Sequence, residues 1–177
     1  LSNTCDVVNL CFGYVNNDFT IDVSKVLAVL NQVLAVRNDG VRVVLSIQGY
    51  SSGGENFSRA ASTDSGRKKL AESMLNILET YHLDGIDIDW EYPGFNTGTS
   101  VSVDKANYTL LCKQISETLK SANKDYLVTA AIPGGGNGPY RFGEDHRISD
   151  QLRQGLQGCG CQWHPPCRAG GWSSVSK

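Results

Sequence analysis

Residues 84–91 read Asp84-Gly85-Ile86-Asp87-Ile88-Asp89-Trp90-Glu91. Four carboxylates in eight residues are interleaved with Ile, Ile and Trp, a period of two that marks a β-strand and not a solvated acidic face. On such a strand Asp87, Asp89 and Glu91 share one face, and Ile86, Ile88 and Trp90 share the other. Amphipathic helical patterns flank the stretch, and strands in that setting are buried on both sides. Ionised carboxylates packed together out of water are unfavourable, so they must share protons or bind something. The run is therefore read as a catalytic site. Hard cations also take several carboxylate oxygens, which makes a metal site the competing reading. Metal loops, however, place their ligands on a turn with Gly in its middle, so no metal and no cofactor is expected here.

Working outward, residues 6–15 (DVVNLCFGYV) form an apolar run followed by Asn16-Asn17-Asp18, a strand and a turn. Val26, Val29, Leu30, Val33 and Leu34 then recur at helical spacing, with Asp22 or Ser24 as cap and Asp39-Gly40 as stop. Val41 to Ile47 is the second strand, and residues 48–54 (QGYSSGG) read as a flexible loop. Leu70, Met74, Ile77, Leu78 and Tyr81 mark a helix after Asp64-Ser65-Gly66. The acidic strand follows, then a loop from Tyr92 to Ser102 and a helix carrying Tyr108, Leu111, Cys112, Ile115 and Leu119. Leu127 to Ile132 is the fourth strand, closed by Pro133-Gly134-Gly135-Gly136. Strands beginning near 6, 41, 84 and 127, with helices between them, imply a parallel α/β sheet with right-handed crossovers.

Two architectures share that pattern. A doubly wound sheet carries a Gly-rich phosphate turn after its first strand, and none is present. A (β/α)8 barrel directs charged residues inward near the carboxyl ends of its strands, where Asp89 and Glu91 fall. The barrel is the expectation, and it is partial, because a whole one takes about 250 residues. Residues 1–142 are assigned to it. Residues 143–177 are assigned to an irregular tail, disordered or read out of frame, with a short helix at most over 149–156.

The 177 residues suit one domain. A formal charge of −2 and a pI near 5.9, with no basic stripe, argue against a nucleic-acid partner. No apolar run approaches the ~20 residues that cross a bilayer, so no membrane partner is expected. No signal-peptide pattern opens the chain, and its natural beginning is expected to lie upstream of Leu1. Cys5, Cys11 and Cys112 lie in or beside apolar segments and are expected to be buried thiols. Cys159, Cys161, His164 and Cys167 invite a zinc reading, but their spacing fits no common structural-zinc pattern. Asn56-Phe57-Ser58 and Asn107-Tyr108-Thr109 fit the N-glycosylation triplet, which is common by chance.

Residues 84–93 (DGIDIDWEYP) resemble the D-x-x-D-x-D-x-E signature of the family-18 glycoside hydrolases, the chitinases and their relatives, including the internal Trp and the following Tyr-Pro. Residues 45–49 (LSIQG) are similar to that family's third-strand S-x-G-G motif, with Gln48 in place of the first Gly. Residues 9–12 (NLCF) resemble its second-strand N-Y-A-F pattern, with Leu10 in place of Tyr, and residues 128–133 (VTAAIP) its fifth strand. The resemblance spans about 5–142, strands two to five of eight.

Glycosidases in general use two carboxylates about 5 or about 9 Å apart, and alternate strand residues lie about 6.6 Å apart, so spacing alone leaves the mechanism open. The resemblance implies the substrate-assisted variant. In it Glu91 protonates the glycosidic oxygen, Asp89 orients the substrate's N-acetyl group as it attacks C1, and Asp87 shares a proton with Asp89. Phe12, Gly49, Tyr50, Tyr92 and Ala131 are the implied sugar-binding positions, whereas the parity of Trp90 points to the core. Asp84 stands on the opposite parity and is read equally as a strand-end clasp or as part of the chemistry. The implied partner is chitin or N-acetylglucosamine oligosaccharides, and the implied location is extracellular. A glycan-binding lectin and an endo-β-N-acetylglucosaminidase are the alternatives. With half a barrel, the 177-residue chain alone is expected not to be a competent enzyme.

Overall fold

The acidic strand lies in the middle of a sheet whose parallel strands follow chain order. The computed structural model describes residues 5–35, 37, 40–49, 52–94, 97–122, 124–133, 162–163 and 172–176. The elements are β1 (Val7–Val15), β2 (Ile21–Asp22), α1 (Leu27–Leu34), β3 (Arg42–Gln48), α2 (Ser52–Ala61), α3 (Asp64–Tyr81), β4 (Gly85–Asp89), α4 (Val101–Ser121), β5 (Leu127–Pro133), β6 (Gln162–Trp163) and β7 (Trp172–Ser176). The sheet order is β2-β1-β3-β4-β5-β7-β6. Strands β1, β3, β4 and β5 are parallel neighbours. Nowhere among them does the order reverse, as a doubly wound sheet requires.

All four helices feed one hydrophobic core. Leu30 of α1, Phe57 of α2, Leu70 and Met74 of α3, and Leu111 and Ile115 of α4 cluster with Leu45, Ile47, Ile86, Ile88, Val128 and Ala130. Every second strand residue thus faces helices. The alternate residues Ser46, Asp87 and Thr129 face the other way, toward what becomes the lumen when such a wall closes. The chain is a partial (β/α)8 barrel, as its sequence implies.

Two close fits set the sheet. Gly85 opens β4 where a Cβ would overlap the carbonyl oxygen of Leu127, so only glycine lets β4 and β5 approach. Asp84, just before it, accepts from the Val43 N–H at 2.8 Å and from Arg37 Nη2 at 2.7 Å. Asp84 is therefore a clasp at the amino end of β4, away from Glu91.

The structure departs from the sequence reading at several places. Neither Asp22 nor Ser24 caps α1; its N-cap is Val26, without a side-chain bond. Residues 21–22 pair with β1 instead, and the Asp22 carboxylate accepts from the Ser24 N–H at 2.8 Å. The helix stops at Leu34, before Gly40, while Asp39 lies outside the described residues. The stretch expected to be a flexible loop contains the start of α2. Gly53 and Gly54 are weak helix formers, but packing overrides propensity: at Gly54 a Cβ would sit 2.8 Å from the Gly49 carbonyl oxygen. Helix α3 begins at Asp64, where Thr63 Oγ1 accepts from the Gly66 N–H at 3.0 Å.

Of the three thiols expected to be buried, only Cys112 is; Cys5 is half-buried and Cys11 exposed. An apolar segment does not reveal which face of the strand a residue takes, and Cys11 lies on the face away from the helices. In the tail, β7 pairs antiparallel with β5 through Ala131–Ser174, Ile132–Ser173 and Pro133–Trp172, and β6 pairs with β7. Backbone pairing of this kind needs no apolar alternation, so the sequence pattern does not disclose it. The helix expected over 149–156 and the group Cys159, Cys161, His164 and Cys167 lie outside the described residues. Among the described residues no helix is long and apolar enough to cross a membrane.

Candidate active site

Parallel pairing aligns Cys11, Ser46, Asp87 and Thr129 as one row across β1, β3, β4 and β5. Asp87 is 4% exposed and accepts from Ser46 Oγ at 2.7 Å and from Thr129 Oγ1 at 2.6 Å. Burial pushes its carboxyl above the ordinary range, and the two hydroxyls pull it part of the way back. Although Cys11 is exposed overall, partial desolvation raises its thiol, with the charges of Asp87 and Asp89 adding to the effect.

One row nearer the carboxyl end, Gln48 pairs with Asp89. Burial, then the neighbouring charges of Glu91 and Asp87, push the half-buried Asp89 carboxyl up to about 7. Glu91 follows the strand and is also half-buried; burial raises its carboxyl, and a hydrogen bond from Tyr92 opposes that. Asp89 Oδ1 and Glu91 Oε1 are buried atoms with no hydrogen-bond partner among the described residues. All three carboxyls are raised, chiefly by burial and for Asp89 by its neighbours' charges as well, which favours holding a proton at the mouth of the site.

The remaining positions singled out in the sequence divide. Phe12, half-buried, falls at the irregularity in β1 where the register with β3 shifts between Cys11 and Gly13. The peptide bonds Cys11–Phe12 and Glu91–Tyr92 are cis. Tyr92 and Ala131 are half-buried. Gly49 is buried: its N–H donates to the Asp89 carbonyl at 2.8 Å, and a Cβ there would lie 2.7 Å from Phe57 Cδ2 and 2.8 Å from the Trp90 Cα. Tyr50 lies outside the described residues. Trp90 is in the core as its parity implies, stacked on Phe57 at 5.5 Å and tilted against Tyr108. Asn56 is tied down, its Nδ2 donating to the Val15 carbonyl at 2.8 Å, and Asn107 is half-buried on α4. Among the described residues no three His, Cys, Asp or Glu side chains are grouped as metal ligands.

Ser46 and Thr129 escaped the sequence reading as site residues, although both lie inside stretches that carry the family resemblance. Their signal is register, since each stands opposite Asp87. Asp104, buried in the first turn of α4, was also missed.

A wall of parallel strands with helices outside, and raised carboxyls on its other face at a strand's carboxyl end, is the arrangement of a barrel enzyme site. The chain belongs to the glycosyl hydrolases family 18, whose family model matches residues 2–152. It is 31% identical over 147 residues to a probable endochitinase of Caenorhabditis elegans, covering 74% of this chain and 23% of that protein. A family-18 N-acetylglucosaminidase from Paenibacillus barengoltzii superposes with a TM-score of 0.61 at 34% identity, over 71% of this chain and 38% of that one. The second catalytic domain of an Ostrinia furnacalis group II chitinase, solved with a penta-N-acetylchitooctaose, superposes with a TM-score of 0.64 at 26% identity, over 73% and 36%. The chain thus spans about a quarter to two-fifths of these relatives.

Proposed function

We propose that the full-length protein is a chitinase-type glycoside hydrolase that cleaves β-1,4-linked N-acetylglucosamine chains by substrate-assisted, retaining catalysis. One observation carries this reading: Asp89, raised to about 7, and Glu91, also raised, each hold a buried oxygen without a hydrogen-bond partner among the described residues, at the carboxyl end of β4. Glu91 gives its proton to the glycosidic oxygen as the bond to C1 breaks, and the leaving oxygen keeps the electron pair. The substrate's acetamido carbonyl oxygen attacks C1 from the opposite face and closes an oxazolinium ring. Asp89 accepts from the acetamido N–H, and its negative charge balances the ring's positive charge. Asp87, gripped by Ser46 and Thr129, takes up the proton that Asp89 releases as that charge develops. Water then attacks C1 while Glu91 removes its proton, which restores the acid.

Phe12, Tyr92 and Ala131 line the sugar site in this reading, Gly49 keeps the wall thin, and Tyr50 is kept as a sugar-binding position on the family resemblance. The protein acts outside the cell. The 177-residue chain alone does not turn over substrate, because its described part contributes four parallel strands of the eight that a barrel closes with. The test follows chitin hexasaccharide cleavage by the full-length protein with proton NMR, with and without a thiazoline mimic of the oxazolinium ion. Internal cleavage giving β-anomer first, and thiazoline inhibition that weakens in Asp89→Asn, is the expected result. First-formed α-anomer, or undiminished thiazoline affinity in the variant, would overturn the mechanism. Release of single sugars only would reassign the substrate to that of an N-acetylglucosaminidase, and binding without cleavage would favour a lectin.

A further inference from the structure

Behind the loop that follows Glu91 lies a carboxylate with no place in the mechanism above. Asp104, in the first turn of α4, is 0% exposed. One of its oxygens accepts from Ser58 Oγ at 2.5 Å. The other accepts from the Gly94 N–H and from Thr97 Oγ1, both at 2.7 Å. Thr99 joins the group through Thr97 at 2.9 Å and Ser58 at 3.1 Å. These partners come from α2 and from the loop, and Asp104 itself stands on α4, so one buried side chain ties three segments together. Gly94 stands three residues after Glu91 and has φ of 82°, a conformation natural to glycine. Ser58 belongs to the helix whose Phe57 stacks on Trp90, the residue just before Glu91. Glu91 is thus held from both sides, by the packing of Trp90 and by the anchored loop.

We infer that Asp104 is a positioning residue for the acid Glu91: it fixes the loop at Gly94 and Thr97 so that the Glu91 carboxyl reaches the glycosidic oxygen. The inference rests on the function proposed above. Asp104 touches no substrate; it acts through Glu91 alone, and only the steps in which Glu91 moves a proton depend on it. Replacing Asp104 by Asn removes the charge and leaves one acceptor oxygen where there were two, which weakens the grip on the loop. A misplacement of about 1 Å costs about 10²-fold in rate.

The test compares the full-length wild type with Asp104→Asn and the milder Thr97→Val on two chitobiosides. One has a methylumbelliferyl leaving group, which needs its proton; the other has a dinitrophenyl group, which leaves without one. Asp104→Asn is expected to lose about 10²-fold in kcat on the first with little change in KM. On the dinitrophenyl substrate it should lose little in the bond-breaking step, measured in single turnover, with Thr97→Val intermediate on the first. Equal losses on both substrates, or no loss on either, would overturn the inference. In parallel, amide exchange at Gly94 and the NMR titration of Glu91 are followed in each variant, without reference to turnover. Faster exchange at Gly94 together with a lower Glu91 titration point is expected, because water then reaches the carboxyl. A wild type inactive on both substrates would refute the proposed function, and unchanged exchange and titration would refute the anchor itself. If Asp104→Asn does not fold, Thr97→Val alone decides by the same readings.

Discussion

Replacing Asp89 by Asn should stabilise the protein, and only above the pH at which Asp89 begins to ionise. Asp89 titrates near 7 in the folded chain against an ordinary 3.8, chiefly because it is buried and then because Glu91 and Asp87 repel its charge. Between those values the folded state holds a proton that the unfolded state has released. The raised carboxyl therefore contributes fully to stability below about 4, and that contribution is lost as pH rises through about 7. Just over three units at about 1.4 kcal/mol each set an upper bound of about 4 kcal/mol. Asp89 is only half-buried, and solvent screening reduces this to about 1–2 kcal/mol. For a protein of 150–250 residues that is a rise in Tm of about 2–8 °C at pH 8, and less in a longer chain. At pH 4 both side chains are neutral and nearly isosteric, so the melting points should coincide. Thermal melts of the full-length wild type and Asp89→Asn from pH 4 to pH 8 measure this directly. An equal offset at both ends, or none at pH 8, would refute the electrostatic account of the site.

Three further outcomes follow from local geometry. His82 ends α3 at φ of 53°, a left-handed position suited to glycine, so His82→Gly should raise stability by about 1 kcal/mol in chemical denaturation. Gly85→Ala would drive a methyl group into the Leu127 backbone and should lower the unfolding free energy by about 1–3 kcal/mol or more; an unchanged denaturation midpoint would contradict the β4–β5 spacing. Cys11 should react with iodoacetamide more slowly than a free thiol at pH 8, by peptide mass mapping. Asp87→Asn should speed it, because partial desolvation and then the carboxylate charges hold back its thiolate.

Much of the acidic strand was legible because its information is local. The alternation of Ile86, Asp87, Ile88 and Asp89 assigns each side chain a face whatever the neighbours do, and the carboxyls and the core lie where it put them. The hydroxyls that grip Asp87 were not legible in that way. Ser46 and Thr129 are ordinary strand residues until register sets them opposite it, and register belongs to three strands at once. Helix α2 was missed because Gly53 and Gly54 weaken local propensity, whereas the fit of Gly54 against Gly49 is a tertiary fact. Asp104 looked like an ordinary acidic residue in a helix's first turn, favourable there on dipole grounds alone. Its burial and its three donors come from segments up to 46 residues away.

In the proposed function Glu91 is the acid that protonates the glycosidic oxygen. The most direct test of that role is the cleavage rate of chitin hexasaccharide by full-length Glu91→Gln, measured together with the affinity for the uncleaved sugar. Binding should persist, and the rate should fall by at least about 10²–10⁴-fold, the usual share of general acid catalysis. A variant that cleaves at nearly the wild-type rate would contradict the assignment.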